Sequence, residues 1–136
     1  MKKDDCIFCK IAAGEIPSKT IYEDEAFRVI LDLGPATRGH ALILPKNHAD
    51  NLYELPEEDA SRVLLVAKKV ALQMKKNLNC PGLNLVQNNG EVAGQTVMHF
   101  HMHLIPRYDA DKQMISWKPG SPSQEELEET CRQIVK

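Results

Sequence analysis

Three histidines at alternate positions, in His99-Phe100-His101-Met102-His103-Leu104-Ile105, constrain this chain more than any other feature. In a helix, steps of two residues scatter side chains around the axis, whereas in a strand they place every second residue on one face. Phe100, Met102 and Leu104 then fall on the opposite face. The spacing therefore predicts a strand over Val97 to Ile105 that packs one side on a core and presents a row of imidazoles from the other. Three chemistries fit such a row. One is structural hydrogen bonding at a strand end, and another is a catalytic zinc held by three imidazoles with an open water position. The third is attack on phosphorus by a neutral imidazole, with a neighbouring imidazolium steadying the developing charge.

The remaining pattern gives that strand a setting. Cys6 to Ala13 reads as a short helix closed by Gly14, and Thr20 to Glu23, Phe27 to Leu31 and His40 to Pro45 read as strands separated by turn residues. A long helix enters near Pro56, with Ala60, Val63, Leu64, Ala67, Val70, Ala71, Met74 and Leu78 at three- and four-residue steps. It stops around Asn77 to Asn79 before Pro81-Gly82, and Leu83 to Gln87 reads as another strand ahead of the Asn88-Asn89-Gly90 turn. Ser123 and Glu126 fit a capping box that opens a final helix. This order predicts one α+β domain over residues 1–136, a roughly five-stranded antiparallel sheet packed by the long helix, with helices against one face.

Charge and composition narrow the partners. Seventeen Lys and Arg against nineteen Asp and Glu give a net charge of −2, which argues against a nucleic-acid polymer or an anionic membrane surface as partner. No apolar run approaches a membrane span, and Met1 to Asp5 carries two acidic residues with no apolar core behind it, so a cytoplasmic location is expected. Of the four cysteines, only Cys6 and Cys9 have a close spacing, and in a reducing compartment that points to a metal or redox site. No thioredoxin-like βαβ context surrounds the pair, so no redox cofactor is expected.

Upstream of the histidine row, Asn88 to Thr96 is a polar loop whose amides and hydroxyl are groups that bind phosphate. His40 follows Gly39 and opens a strand that can bring a fourth imidazole to the same place. His99-x-His101-x-His103, the preceding Gly94-Gln95-Thr96-Val97, and Gly39-His40-Ala41-Leu42-Ile43-Leu44-Pro45-Lys46-x-His48 together resemble the histidine-triad (HIT) superfamily of nucleotide hydrolases and transferases, over about Cys6 to Tyr108. Residues 109–136 form a tail and helix outside those motifs.

The resemblance implies roles position by position. His101 is the nucleophile that attacks the α-phosphorus of a nucleotide, and the His99 carbonyl accepts from its other ring nitrogen and fixes the tautomer. His103 and His40 contact phosphate oxygens, Asn88 and Gln95 lie on the phosphate side, and Thr96 stands near the leaving group. Asp32 accepts the ribose hydroxyls, while Ile7, Phe8, Ile11, Ile30 and Leu33 build an apolar slot for the base. A bacterial branch of the superfamily pairs such a CxxC with two histidines, which implies a structural zinc on Cys6, Cys9, His48 and His99. Members usually form homodimers through the long helix and a strand. The implied activity is hydrolysis of nucleoside 5'-monophosphate derivatives, of the AMP or GMP phosphoramidate type, through a nucleotidyl-histidine. Dinucleoside polyphosphate hydrolysis, and a nucleotide-binding module with vestigial catalysis, are the alternatives.

Overall fold

A computed structural model describes residues 1–136. The chain begins with a short helix, α1 (Ile7–Ala12), and then a hairpin of β1 (Thr20–Glu23) and β2 (Phe27–Leu31). The hairpin turn is set by Asp24, whose Oδ1 accepts from the backbone N–H of Ala26 and of Phe27 at 2.8 Å each. There follow β3 (Ala41–Pro45), α2 (Glu57–Leu78), β4 (Gly82–Val86), β5 (Met102–Arg107) and α3 (Gln124–Val135). The five strands form one sheet in the order β1-β2-β3-β5-β4, antiparallel at every pairing. This is the α+β architecture expected from the pattern.

Alternation along the strands divides the core in two. Phe27, Val29, Ala41, Ile43, Phe100 and Leu104 are buried against Val63, Val66, Ala67, Val70 and Met74 of α2. At ~1.5–3 kcal/mol for each large apolar side chain fully buried, this layer supplies most of the packing energy. Ile30, Leu42 and Leu44 point the other way, into a smaller cluster with Ala12, Phe8 and Ile11 at α1. Helices therefore cover both faces instead of one. On α2, Val66 turns inward while Leu64 stays exposed.

α2 begins after Pro56 with Glu57, Glu58 and Asp59 in its first turn and Lys75 and Lys76 in its last, the charge order its dipole favours. It ends on Asn79 in the left-handed conformation. α3 has the expected capping box of Ser123 and Glu126, yet all of its residues are exposed.

The histidine strand starts later than its sequence suggests. The ladder pairs Ile43 with Met102 and goes no further toward the N-terminal side of β5, so His99 and His101 precede the strand and only His103 lies in it. The cause is Pro45, which has no N–H for the next ladder position. Instead, Phe100 N–H donates to the Ala49 carbonyl at 2.7 Å, and the segment continues extended against the 46–50 loop. Alternation survives this change. His103 lies opposite Leu42 and shares its face, toward α1, while Phe100 and Leu104 are buried on the α2 side.

Candidate functional site

The three histidines divide between two neighbouring clusters, and His101 lies between them. His101 is buried, and its Nδ1 lies 2.7 Å from the carbonyl oxygen of His99. A carbonyl only accepts, so Nδ1 carries the proton and Nε2 keeps a free lone pair. Phe8 stands edge-on to this ring, with centroids 5.0 Å apart, and fixes its plane.

On one side lie His40 and His103. The Ala36 backbone N–H donates to His40 Nδ1 at 2.9 Å, so neutral His40 has its proton on Nε2. That proton is donated to His103 Nδ1, 2.9 Å away, which leaves His103 with its own proton on Nε2. The His101 and His103 rings are 5.1 Å apart. A ring nitrogen with a lone pair thus sits beside a ring with an N–H to donate. Burial pushes His103 down to about 4, with the neighbouring His101 and His40 adding to the effect. Burial likewise lowers His101 and His40, the latter opposed by Asp32. The second imidazole is therefore a neutral donor in the free protein, not the imidazolium expected from the sequence. Asp32 accepts from Gly34 N–H through Oδ1 at 2.8 Å and brings Oδ2 to 3.6 Å from His40 Nε2.

On the other side lie Cys6, Cys9, His48 and His99, whose ligand atoms all fall within 4.8 Å of one another. His99 Nε2–H donates to the Pro45 carbonyl at 2.9 Å, and His48 Nε2–H donates to Asp50 at 2.7 Å. Both Nδ1 lone pairs therefore face the sulfurs: His99 Nδ1 is 3.3 Å from Cys6 Sγ and 3.4 Å from Cys9 Sγ, and His48 Nδ1 is 3.3 Å from Cys9 Sγ. A tetrahedral ion with Zn–S of ~2.3 Å and Zn–N of ~2.0–2.1 Å separates S and N ligands by ~3.5 Å, close to this spacing. Backbone N–H groups of Cys9 and Lys3 also donate to Cys6 Sγ and Cys9 Sγ at 3.3 Å, while burial pushes the Cys9 thiol up, the Lys3 N–H opposing it. The cluster has the donor set of a closed metal centre, with Asp50 and Pro45 as its outer partners. Asp32, His40 and His103 also lie close enough to share an ion, but there the Ala36 amide directs a His40 N–H into the gap, and the set does not fit a cation.

The other expected residues separate. Phe8, Ile11 and Ile30 form the apolar cluster beside the histidines, and Ile7 is half exposed at its edge of α1. Leu33, just past β2, is 96% exposed. Gln95 is buried, its Nε2 donates to the carbonyls of Asp50 and Val97, and its Oε1 accepts from Gly90 N–H, so its amide braces the loop. Asn88 enters the hydrogen bonding through its backbone carbonyl, accepting from Gln87, and Thr96 is exposed. Ala36, Pro45 and Asp50 escaped sequence reasoning. Two of them act through backbone atoms, which leave no side-chain signature, and only Asp50, two residues after His48, offered a signal.

Two cavities lie elsewhere. One, of about 660 Å³, is under the tail at Arg107 and Trp117, and the other, of about 910 Å³, lies between α2 and β1; no histidine lines either.

Fold and site define a histidine-triad protein, and the comparisons agree: the HIT domain family matches residues 13–110, and the chain belongs to that family. A HIT family protein from Bacillus anthracis superposes with a TM-score of 0.90 at 43% identity, over 97% of this chain and 96% of that one. A Zn-bound histidine triad family protein from Mycobacterium smegmatis superposes at 0.76 with 36% identity, over 96% of each. The adenosine 5'-monophosphoramidase HNT1 of Saccharomyces cerevisiae is 42% identical over 120 residues, covering 88% of this chain and 72% of that protein.

Proposed function

We propose that this protein hydrolyses nucleoside 5'-monophosphate derivatives of the phosphoramidate type, with a purine base, through a covalent intermediate on His101. The observation that carries this reading is the Nδ1–H bond from His101 to the His99 carbonyl, which frees Nε2 beside the His103 donor. Nε2 attacks the α-phosphorus as the bond to the leaving amine breaks, and the amine departs after taking up a proton. Water then attacks phosphorus, the P–N bond to His101 breaks, and the monophosphate leaves with the imidazole neutral again. His103 donates to a phosphate oxygen and His40 holds it in that tautomer. Asn88 and Thr96 serve the phosphate and leaving-group side, Asp32 the ribose, and Phe8, Ile11 and Ile30 the base. The activity named for the yeast relative supports the amidate over a dinucleoside polyphosphate as substrate.

Cys6, Cys9, His48 and His99 hold a structural zinc, a reading supported by the inward lone pairs and by the zinc-bound mycobacterial relative. The ion ties α1 to the segment that carries His101 and leaves no open ligand position for chemistry. The protein works as a homodimer, and four free cysteines suit a cytoplasmic location. No helix is long and apolar enough to cross a membrane. The test is a panel of AMP-morpholidate, AMP-lysine, GMP analogues and diadenosine polyphosphates ranked by kcat/KM: the amidates should lead, and polyphosphates ahead of them would reverse the substrate class.

A further inference from the structure

The bond between His40 and His103 can run either way. His40 Nε2–H can donate to His103 Nδ1, or His103 Nδ1–H can donate to His40 Nε2. In the first arrangement His103 keeps a donor on Nε2; in the second its Nε2 is a lone pair, which repels a phosphate oxygen. The Ala36 N–H, 2.9 Å from His40 Nδ1, breaks this symmetry, because a proton on Nδ1 would point at another N–H. The placing of one backbone amide therefore sets what His103 offers to the site.

Packing does not hold that amide. Leu33, Gly34, Pro35 and Ala36 are all exposed. Several hydrogen bonds only close the loop on itself: Asp32 N–H donates to the His40 carbonyl at 2.9 Å, Gly34 N–H to Asp32 Oδ1 at 2.8 Å, and His40 N–H to the Thr37 carbonyl at 3.2 Å. Two bonds tie residues 33–39 to the rest of the protein, and both reach the end of β5. Thr37 Oγ1–H donates to the Pro106 carbonyl, and Tyr108 Oη–H donates to the Arg38 carbonyl, each at 2.6 Å. β3 pairs with β5 no further than Ala41 opposite Leu104, so Pro106 has no β3 partner and its carbonyl is left for Thr37. Gly39 lets the loop sit this close, since a Cβ there would meet Pro106 Cγ at 3.3 Å and Tyr108 Oη at 3.8 Å. The loop is thus anchored to the strand that carries His103, three and five residues beyond it.

We propose that Thr37 and Tyr108 are positioning residues for His103: by pinning the loop to β5 they hold the Ala36 amide on His40 Nδ1 and keep the His103 proton on Nε2. Neither side chain needs to touch substrate. Turnover depends on them only through the reading of His103 as the phosphate donor, whereas the tautomer is measurable without substrate.

Long-range 1H–15N spectra of the full chain labelled with 15N-histidine, at pH ~8 where free imidazoles are neutral, test this. In the wild type, His40 and His103 should both be Nε2–H. Thr37→Val and Tyr108→Phe each remove one hydroxyl and should admit the Nδ1–H form of both rings, more so when combined. Thr37→Ser keeps the hydroxyl and should match the wild type, and His101 should stay Nδ1–H throughout, since the His99 carbonyl holds it. With AMP-morpholidate, kcat of the single variants should fall ~3–10-fold, in step with the lost Nε2–H population of His103, with KM within about twofold of wild type. Rings that stay wholly Nε2–H in the combined variant, or an equal tautomer shift in Thr37→Ser, would overturn the proposal. A tautomer shift with kcat unchanged would uphold it and tell instead against His103 as the phosphate donor.

Discussion

His40 and His103 share one proton across 2.9 Å, and a backbone amide decides who owns it: Ala36 N–H occupies His40 Nδ1, so Nε2 of His40 is the donor. The pair is held neutral by burial, which brings His103 to about 4 and lowers His40 as well.

That neutrality makes the fold sensitive to acid. Above pH ~6.5, the ordinary imidazole value, both folded and unfolded chains leave these rings unprotonated and stability is independent of them. Below it, the unfolded chain takes up protons that the folded chain refuses until about 4, so stability falls as pH falls through that window. Urea midpoints measured from pH 8 to 4 should decline from about 6.5 downward, and His103→Gln should flatten the decline. A midpoint constant over that range would contradict the buried neutral pair.

The metal centre predicts its own pattern of loss. Purified wild type should carry close to one zinc per chain by elemental analysis, Cys9→Ala should carry almost none, and His101→Ala should keep it. Asp50→Asn leaves every ligand in place but weakens the acceptor for His48 Nε2–H, and should loosen zinc by ~10–100-fold in a chelator competition. Zinc retained in Cys9→Ala and lost in His101→Ala would instead favour a catalytic ion on the histidine row.

Gln95 separates bracing from phosphate binding. Gln95→Glu sets a carboxylate against the Asp50 and Val97 carbonyls that now receive N–H groups, and should cost on the order of 2–3 kcal/mol in urea unfolding. A variant of unchanged stability with only a raised KM would return Gln95 to the phosphate.

Gly39 guards the entry to His40. Its φ is +90°, and a Cβ would meet Leu78 Cδ1 at 2.6 Å and Pro106 Cγ at 3.3 Å. Gly39→Ala should lose on the order of 1–3 kcal/mol, measured by denaturant unfolding, with a fall in kcat as His40 shifts.

Much of this was legible in the sequence because period and turn chemistry are local. The hairpin of β1 and β2, the span of α2 and the capping box at Ser123 lie where spacing placed them. The HxHxH alternation correctly separated the imidazoles from Phe100 and Leu104. What escaped was tertiary. The missing N–H of Pro45 ends the ladder early, the return of α1 covers the second face, and the tautomers of His40, His99 and His101 are set by the backbone of Ala36, Pro45 and His99.

Rapid quench of the protein with AMP-morpholidate, followed by peptide mass mapping, reaches the chemistry itself. An adenylyl group should be found on His101 at a rate at least equal to turnover, and His101→Asn should lack it and lose several orders of magnitude in kcat while still binding AMP. Turnover by His101→Asn at the wild-type rate, or an adduct on any other residue, would contradict the account.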